Sequence, residues 1–196
     1  MKMVYKVLYI LMGLVILSMG SATLQSAGLG VDPFTAFNIG LSIKLGFTLG
    51  HTQLMINLIL FAFVVVFRKK SIGIGTVLNM VLVGYFIQYF IEIFTPFYSA
   101  HSFFDQLIAL VVGILLFTLG ATMYQIMDMG QSPYDAIAPI LSEKLDSPYK
   151  TVRQLQDVIV VVAAFLLSGP IGVGTVICAF GTGSLISKWA QVLPRP

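Results

Sequence analysis

Ile72-Gly73-Ile74-Gly75-Thr76-Val77 returns as Ile171-Gly172-Val173-Gly174-Thr175-Val176, 99 residues further along the chain. Apolar segments resemble one another by composition, so a matched Leu or Ile carries little. Matched Gly and Thr at fixed spacing carry more. Downstream, Gly84 meets Gly183 at the same offset. Upstream, after a slip of one residue, the offset is 100: Gly13 meets Gly113, Gly20 meets Gly120, Gln25 meets Gln125, Gly30 meets Gly130, Pro33 meets Pro133 and Ala36 meets Ala136. Phe34 and Tyr134 agree in kind, as do Asn57 and Asp157, two polar residues inside apolar segments. The pattern predicts two copies of one unit, residues 1–98 and 99–196.

The setting of those copies follows from composition. The 196 residues are 58% hydrophobic and 10% charged, with mean hydropathy +0.96. Soluble chains run at about 45–50% apolar and about 25% charged, so the missing charge points to a surface that faces lipid. The formal charge of +3 does not indicate nucleic acid, because Lys and Arg stand at the ends of apolar runs and form no basic stripe. Cys178 is the single cysteine, and His51 and His101 are the only histidines. That leaves no disulfide framework, metal set or nucleophile–base pair, so no cofactor or enzyme activity is expected.

Crossing a hydrocarbon core of about 30 Å takes roughly 17–25 helical residues. Six runs qualify: Val4 to Leu24, His51 to Phe67, Gly73 to Phe94, Asp105 to Met127, Thr151 to Ser168 and Ile171 to Ala190. Two apolar segments, Pro33 to Leu45 and Pro133 to Leu145, are shorter; at 1.5 Å per residue each covers only about 20 Å. The fold class expected is therefore all-α and transmembrane, with about six crossings and two short re-entrant or interfacial helices.

Positive charge tests that count, since cytoplasmic loops collect Lys and Arg. With the N-terminus inside and the short segments returning to the side they came from, Lys2, Lys6, Arg68, Lys69, Lys70, Lys144, Lys150, Arg153, Lys188 and Arg195 fall inside, and only Lys44 outside. Eight crossings would put the Arg68, Lys69, Lys70 cluster outside. Six crossings are preferred, with both termini cytoplasmic. Each copy then has three, so the second enters the bilayer inverted, as in many transporters and channels. The first run has a full-helix counterpart in the second copy, which argues against a cleaved signal peptide despite Lys2, Lys6 and the small residues Gly20, Ser21 and Ala22.

Candidate functional residues cluster at the starts of the short helices. Asp32 and Ser132 are favoured N-caps, Pro33 and Pro133 suit the first helical position, and Gly30 and Gly130 allow the turn before each cap. Free N–H groups at such starts attract anions or carbonyl groups, whereas the Asp32 carboxylate suits a cation or proton. The alternative is a pair of plain interfacial helices with Lys44, Glu143 and Lys144 toward water. Asn57 and Asp157 are expected to line a polar interior, with Gln25, Gln53 and Gln125 nearby. A bare carboxylate at that depth costs roughly 2.5–3.5 kcal/mol, so Asp157 needs compensation, and Arg153 stands one helical turn earlier. Gly13, Gly20, Gly113, Gly120 and the two Gly-x-Gly-Thr segments read as close helix packing. Tyr85, Tyr89, Glu92 and Tyr98 read as an interfacial belt.

Gly30-Val-Asp-Pro-Phe34, Gly50-His-Thr-Gln53 with Asn57, and Arg68-Lys-Lys70 with Gly73-Ile-Gly-Thr-Val-Leu-Asn79 resemble the YczE/YyaS/YitT group of bacterial integral membrane proteins. The resemblance implies a multi-pass protein of the bacterial plasma membrane and supplies no substrate. Some relatives carry a further cytosolic domain; with the residues ending at Pro196, regulation through one is not expected. The functional expectation is a permease or channel for a small polar or ionic solute. The alternatives are a substrate-binding subunit of an energy-coupled importer, working with a partner membrane subunit, and a non-transporting accessory protein. A homo-oligomer is compatible with any of these.

Overall fold

The computed structural model describes residues 3–96 and 102–194, and those residues are helical with no strand. Lys2, Tyr98, Ser99, His101 and Arg195 lie outside the described residues. The helices are α1 (Met3–Ser26), α2 (Pro33–Leu45), α3 (Leu49–Phe67), α4 (Ile74–Phe94), α5 (Phe103–Gln125), α6 (Pro133–Lys144), α7 (Tyr149–Leu166), α8 (Val173–Phe180) and α9 (Thr182–Val192). α1, α3, α4 and α5 are long and apolar enough to cross a membrane.

The fifth and sixth expected crossings depart from that description. α7 has 18 residues and carries Lys150, Arg153 and Asp157 in its first half. The run expected as one helix from Ile171 to Ala190 is divided into α8 and α9 at Gly181, the cap between them. Glycine costs about 1 kcal/mol against alanine inside a helix; here Gly181 and Gly183 flank Thr182, whose hydroxyl donates to the Cys178 carbonyl at 2.8 Å. A second glycine and a backbone-bonding threonine together weaken the helix at one turn.

α1 and α5 form the spine. A methyl group added at Gly13 would lie 2.9 Å from the Gly120 carbonyl oxygen, and one at Gly20 2.6 Å from that of Gly113. As one helix ascends in number the other descends, so the two run antiparallel with their backbones in contact. That approach is available only to residues without side chains. Ile10, Leu14 and Leu17 close one side of the spine with Val83 and Ile87 of α4; Leu24 and Ile114 close the other with Ala36 and Cys178. Trp189 holds α9 to α5 by donating to the Thr118 hydroxyl at 3.2 Å.

The short helices cross over between halves: α2 packs on α7 as well as α3, and α6 on α3 as well as α7. The turn before each is pinned by the opposite half. The Gly174 amide donates to the Leu29 carbonyl at 2.8 Å, and the Gly75 amide to the Met129 carbonyl at 2.7 Å. The backbone turns left-handed at Gly30 (φ +75°) and Gly130 (φ +106°), and a side chain at either would strike the opposite Gly-x-Gly-Thr segment. The packing expected of those glycines is therefore present, directed at the turns of the other half.

Outward faces are apolar. On α7, Leu155, Ile159, Val162 and Leu166 are exposed while Gln156 and Asp157 are buried. A helix with its polar side inward and its apolar side outward is stable only where the surroundings are less polar than the interior.

Candidate functional site

The N-caps set the geometry. The Asp32 carboxylate accepts the Thr35 amide at 3.0 Å and the Ser21 hydroxyl at 3.4 Å. The Ser132 hydroxyl accepts the Asp135 amide at 3.1 Å and donates to the Asp135 carboxylate at 2.7 Å. Both helices thus begin as expected, with Pro at the first position. Their first turns are buried and their far ends, including Lys44, Glu143 and Lys144, are exposed. Arg68 meets Glu143 at 3.3 Å, and the Lys144 ammonium sits 3.3 Å from the centre of the Phe67 ring.

Between the two helix starts lies a cavity of about 120 Å³, room for several waters or one small solute. Positions matched by the sequence offset face it in pairs: Leu17 with Phe117, Phe34 with Tyr134, Thr35 with Asp135, Gln53 with Arg153, and Val83 with Thr182. The Phe34 and Tyr134 rings stack, with centroids 4.6 Å apart and planes 21° apart. Tyr124 also lines the space and donates to the Gly130 carbonyl at 2.9 Å.

Arg153 organises the second half of the lining. Its Nη1 contacts Asp135 Oδ1 at 2.7 Å and its Nε contacts Asp157 Oδ2 at 3.2 Å. Tyr134 donates its hydroxyl to Asp157 Oδ1 at 2.6 Å, and the Gln156 amide donates to the Tyr134 carbonyl at 2.9 Å. The Arg153 guanidinium lies 5.0 Å from the Tyr134 ring centre. Asp157, 3% exposed, thereby receives the compensation its depth demands, from the charge one turn earlier and from a hydroxyl that sequence reasoning did not assign. α7 begins two residues before the run read from sequence, which puts Asp157 at the middle of that helix.

Of the residues expected at a site, Asp32, Ser132, Asp157 and Gln125 line the cavity, with Pro33 beside them. Gly30, Gly130 and Pro133 shape the turns without lining it. Asn57 does not line it: its amide donates to the Met80 carbonyl at 3.4 Å, and its own Oδ1 is buried without a partner. Gln25 is also off the lining, with its Oε1 buried and unpartnered. Gln53, given only as a neighbour, lines the cavity directly. Asp135, Asn79, Cys178 and Thr182 were not anticipated. The signal for Asp135 was present, since it faces Thr35 in the offset alignment.

The profile of DUF6198, described as a family of unknown function, matches residues 4–191. The chain belongs to that family. This DUF6198 chain is 31% identical over 175 residues to the uncharacterized membrane protein YczE of Bacillus subtilis, covering 89% of this chain and 80% of that protein. It is 30% identical over 192 residues to the uncharacterized protein YyaS of the same organism, covering 97% and 94%. An uncharacterized protein of Haemophilus influenzae is 28% identical over 194 residues, covering 97% and 86%. No solved structure matches. The resemblance read from the motifs is thus met by YczE and YyaS, and this DUF6198 member is a membrane protein.

Proposed function

We propose that the protein is a small permease or channel that moves a small polar or ionic solute through the central cavity, without catalysis of its own. One observation carries the reading: the cavity is lined by offset-matched residues from both halves, polar ones included. A space kept polar in the middle of an apolar bundle is costly for stability alone.

In this reading residues 1–98 and 99–196 are copies of one three-crossing unit, the second inverted, in a bacterial plasma membrane with both termini cytoplasmic. The antiparallel contact of α1 with α5 and the reciprocal pinning of the two turns support it. α7 serves as the fifth crossing, its polar face inward. α8 and α9 together make the sixth: Val173 to Val192 rises about 30 Å at 1.5 Å per residue. A crossing interrupted where it lines the cavity is a recurrent feature of transporter sites. α2 and α6 are re-entrant, their buried starts meeting at the solute.

Purified protein in liposomes is expected to give solute flux, and detergent-solubilised protein a ligand-dependent rise in Tm. No flux and no stabilisation across a broad panel of small polar solutes would overturn the reading. In a Cys178→Ala background, thiols at Lys69→Cys and Ser99→Cys are expected to label from opposite sides of the membrane; labelling from one side would overturn the inverted arrangement.

A further inference from the structure

The charged groups on the lining decide which solute the cavity takes. Arg153, the single guanidinium there, gives Nη1 to Asp135 and Nε to Asp157, so its charge is already outweighed by two carboxylates at contact and draws an anion weakly. Asp32 has no such partner: its carboxylate meets neutral groups, Thr35 through its amide and its side chain and Ser21 through its hydroxyl, and no ion pair reaches it among the described residues. Three carboxylates against one guanidinium leave a formal charge of −2 on the lining. The two helix starts return about +0.5 each, and the balance stays negative.

A second feature points to an oxygen-seeking ligand. Gln53 lines the cavity and is 3% exposed, yet its Oε1 makes no hydrogen bond. The terminal torsion of glutamine is broad and roughly two-fold, so the amide can turn its oxygen onto the cavity, where a cation would satisfy it.

We propose that the cavity binds a small monovalent cation, of alkali-metal or ammonium type, on the Asp32 carboxylate, with Gln53 supplying a neutral oxygen. The proposal rests on the reading of this cavity as the solute site and names its cargo class. A divalent ion is the poorer fit, because such ions take about six to eight oxygen ligands, and Asp135 and Asp157 are committed to Arg153. Asp32 keeps its capping duty in this scheme, since the Thr35 amide engages Oδ1 at 3.0 Å while Oδ2 accepts the Ser21 hydroxyl at a long 3.4 Å.

The test uses the full chain in nanodiscs, unfolded thermally in potassium, sodium or ammonium chloride with N-methyl-D-glucamine chloride holding ionic strength constant. At least one small cation is expected to raise Tm saturably while N-methyl-D-glucamine does not. Asp32→Asn, which retains a capping side chain, is expected to weaken that dependence about tenfold or more, as loss of a unit charge at contact requires. Should that variant fail to fold, Asp32→Ser, also a capping residue, carries the same comparison. Equal Tm in all four chlorides overturns the proposal, as does an unchanged cation response in the Asp32 variants. Saturable stabilisation without flux in liposomes would leave the cation site standing and remove the transport reading. Flux of a solute indifferent to these cations would do the reverse.

Discussion

The wall that α2 and α3 give to the cavity and the wall that α6 and α7 give are built on matched positions with opposite chemistry. Thr35 and Gln53 on the lining, and Asn57 off it, are neutral; Asp135, Arg153 and Asp157, at the same places 100 residues later, are charged and all line the cavity. The charged set forms a closed network with Tyr134 at distances of 2.6–3.2 Å. The neutral set is loose, with Gln53 Oε1 and Asn57 Oδ1 both unpartnered. A similar contrast separates α4, continuous over 21 residues, from α8 and α9. Leu82-Val83 in α4 stands where Gly181-Thr182 stands in the broken pair. The spine glycines and the Gly-Pro turns that fix the frame are common to both halves, and among the residues that differ are those that face the cavity. One wall is a pre-formed ionic scaffold, while the other keeps groups free for a ligand.

The largest effect is expected from Arg153→Met. Two carboxylates would lose their common partner, and removing one member of a buried ion network costs about 3–5 kcal/mol, toward the lower end because the Arg153 side chain is 28% exposed. Chemical denaturation in detergent would measure it. Writing the neutral set into the charged wall, with Asp135→Thr, Arg153→Gln and Asp157→Asn together, is expected to recover most of that loss, because no charge is then stranded. If the triple variant is as unstable as Arg153→Met, the two walls are not interchangeable frames.

Tyr134→Phe, which makes the residue match Phe34, is expected to cost about 1.5–3 kcal/mol, the worth of a hydrogen bond to a charged group. The reciprocal Phe34→Tyr has no carboxylate at the matched position to receive its hydroxyl, since residue 57 is Asn, and is expected to give no comparable gain. Equal and opposite changes in unfolding free energy would contradict the asymmetry.

The smallest effect is expected from Gly181→Ala. Its φ of −107° suits any residue, and alanine is favoured over glycine by roughly 0.5–1 kcal/mol in a helix, but an added Cβ would lie 3.0 Å from the Ile177 carbonyl oxygen, so the two offset and stability should change little. Amide exchange from Cys178 to Ile186 is expected to slow as α8 and α9 approach one helix. Faster exchange there would place the cause of the break elsewhere.

Much of this is legible in the amino-acid sequence. The short helix Pro33–Leu45 matches its expected bounds, and the second, Pro133–Lys144, ends one residue early. Proline, a capping side chain and the preceding glycine are local signals, read over a few residues. The spine glycines were legible for the same reason. Arg153 was recognised as a partner for Asp157 from spacing on one helix, whereas its tighter contact with Asp135 was not, because that joins α7 to α6. Asn57 and Gln25 are expected at the site as polar residues in apolar helices and are absent from its lining: a polar side chain in an apolar helix must point somewhere, but periodicity does not say toward which neighbour.

The order of apolar runs, the duplicated Gly, Pro and Thr positions and the polar residues buried among them were set by the amino-acid sequence alone, since each depends on composition or on spacing within one turn or one helix. Which helix of one half covers the turn of the other, which carboxylate Arg153 holds and which remains open at Asp32 were decided only in the tertiary structure. Those contacts join residues far apart in the chain, and the direction of a side chain across a helix interface follows from how the backbones approach, which no local pattern records.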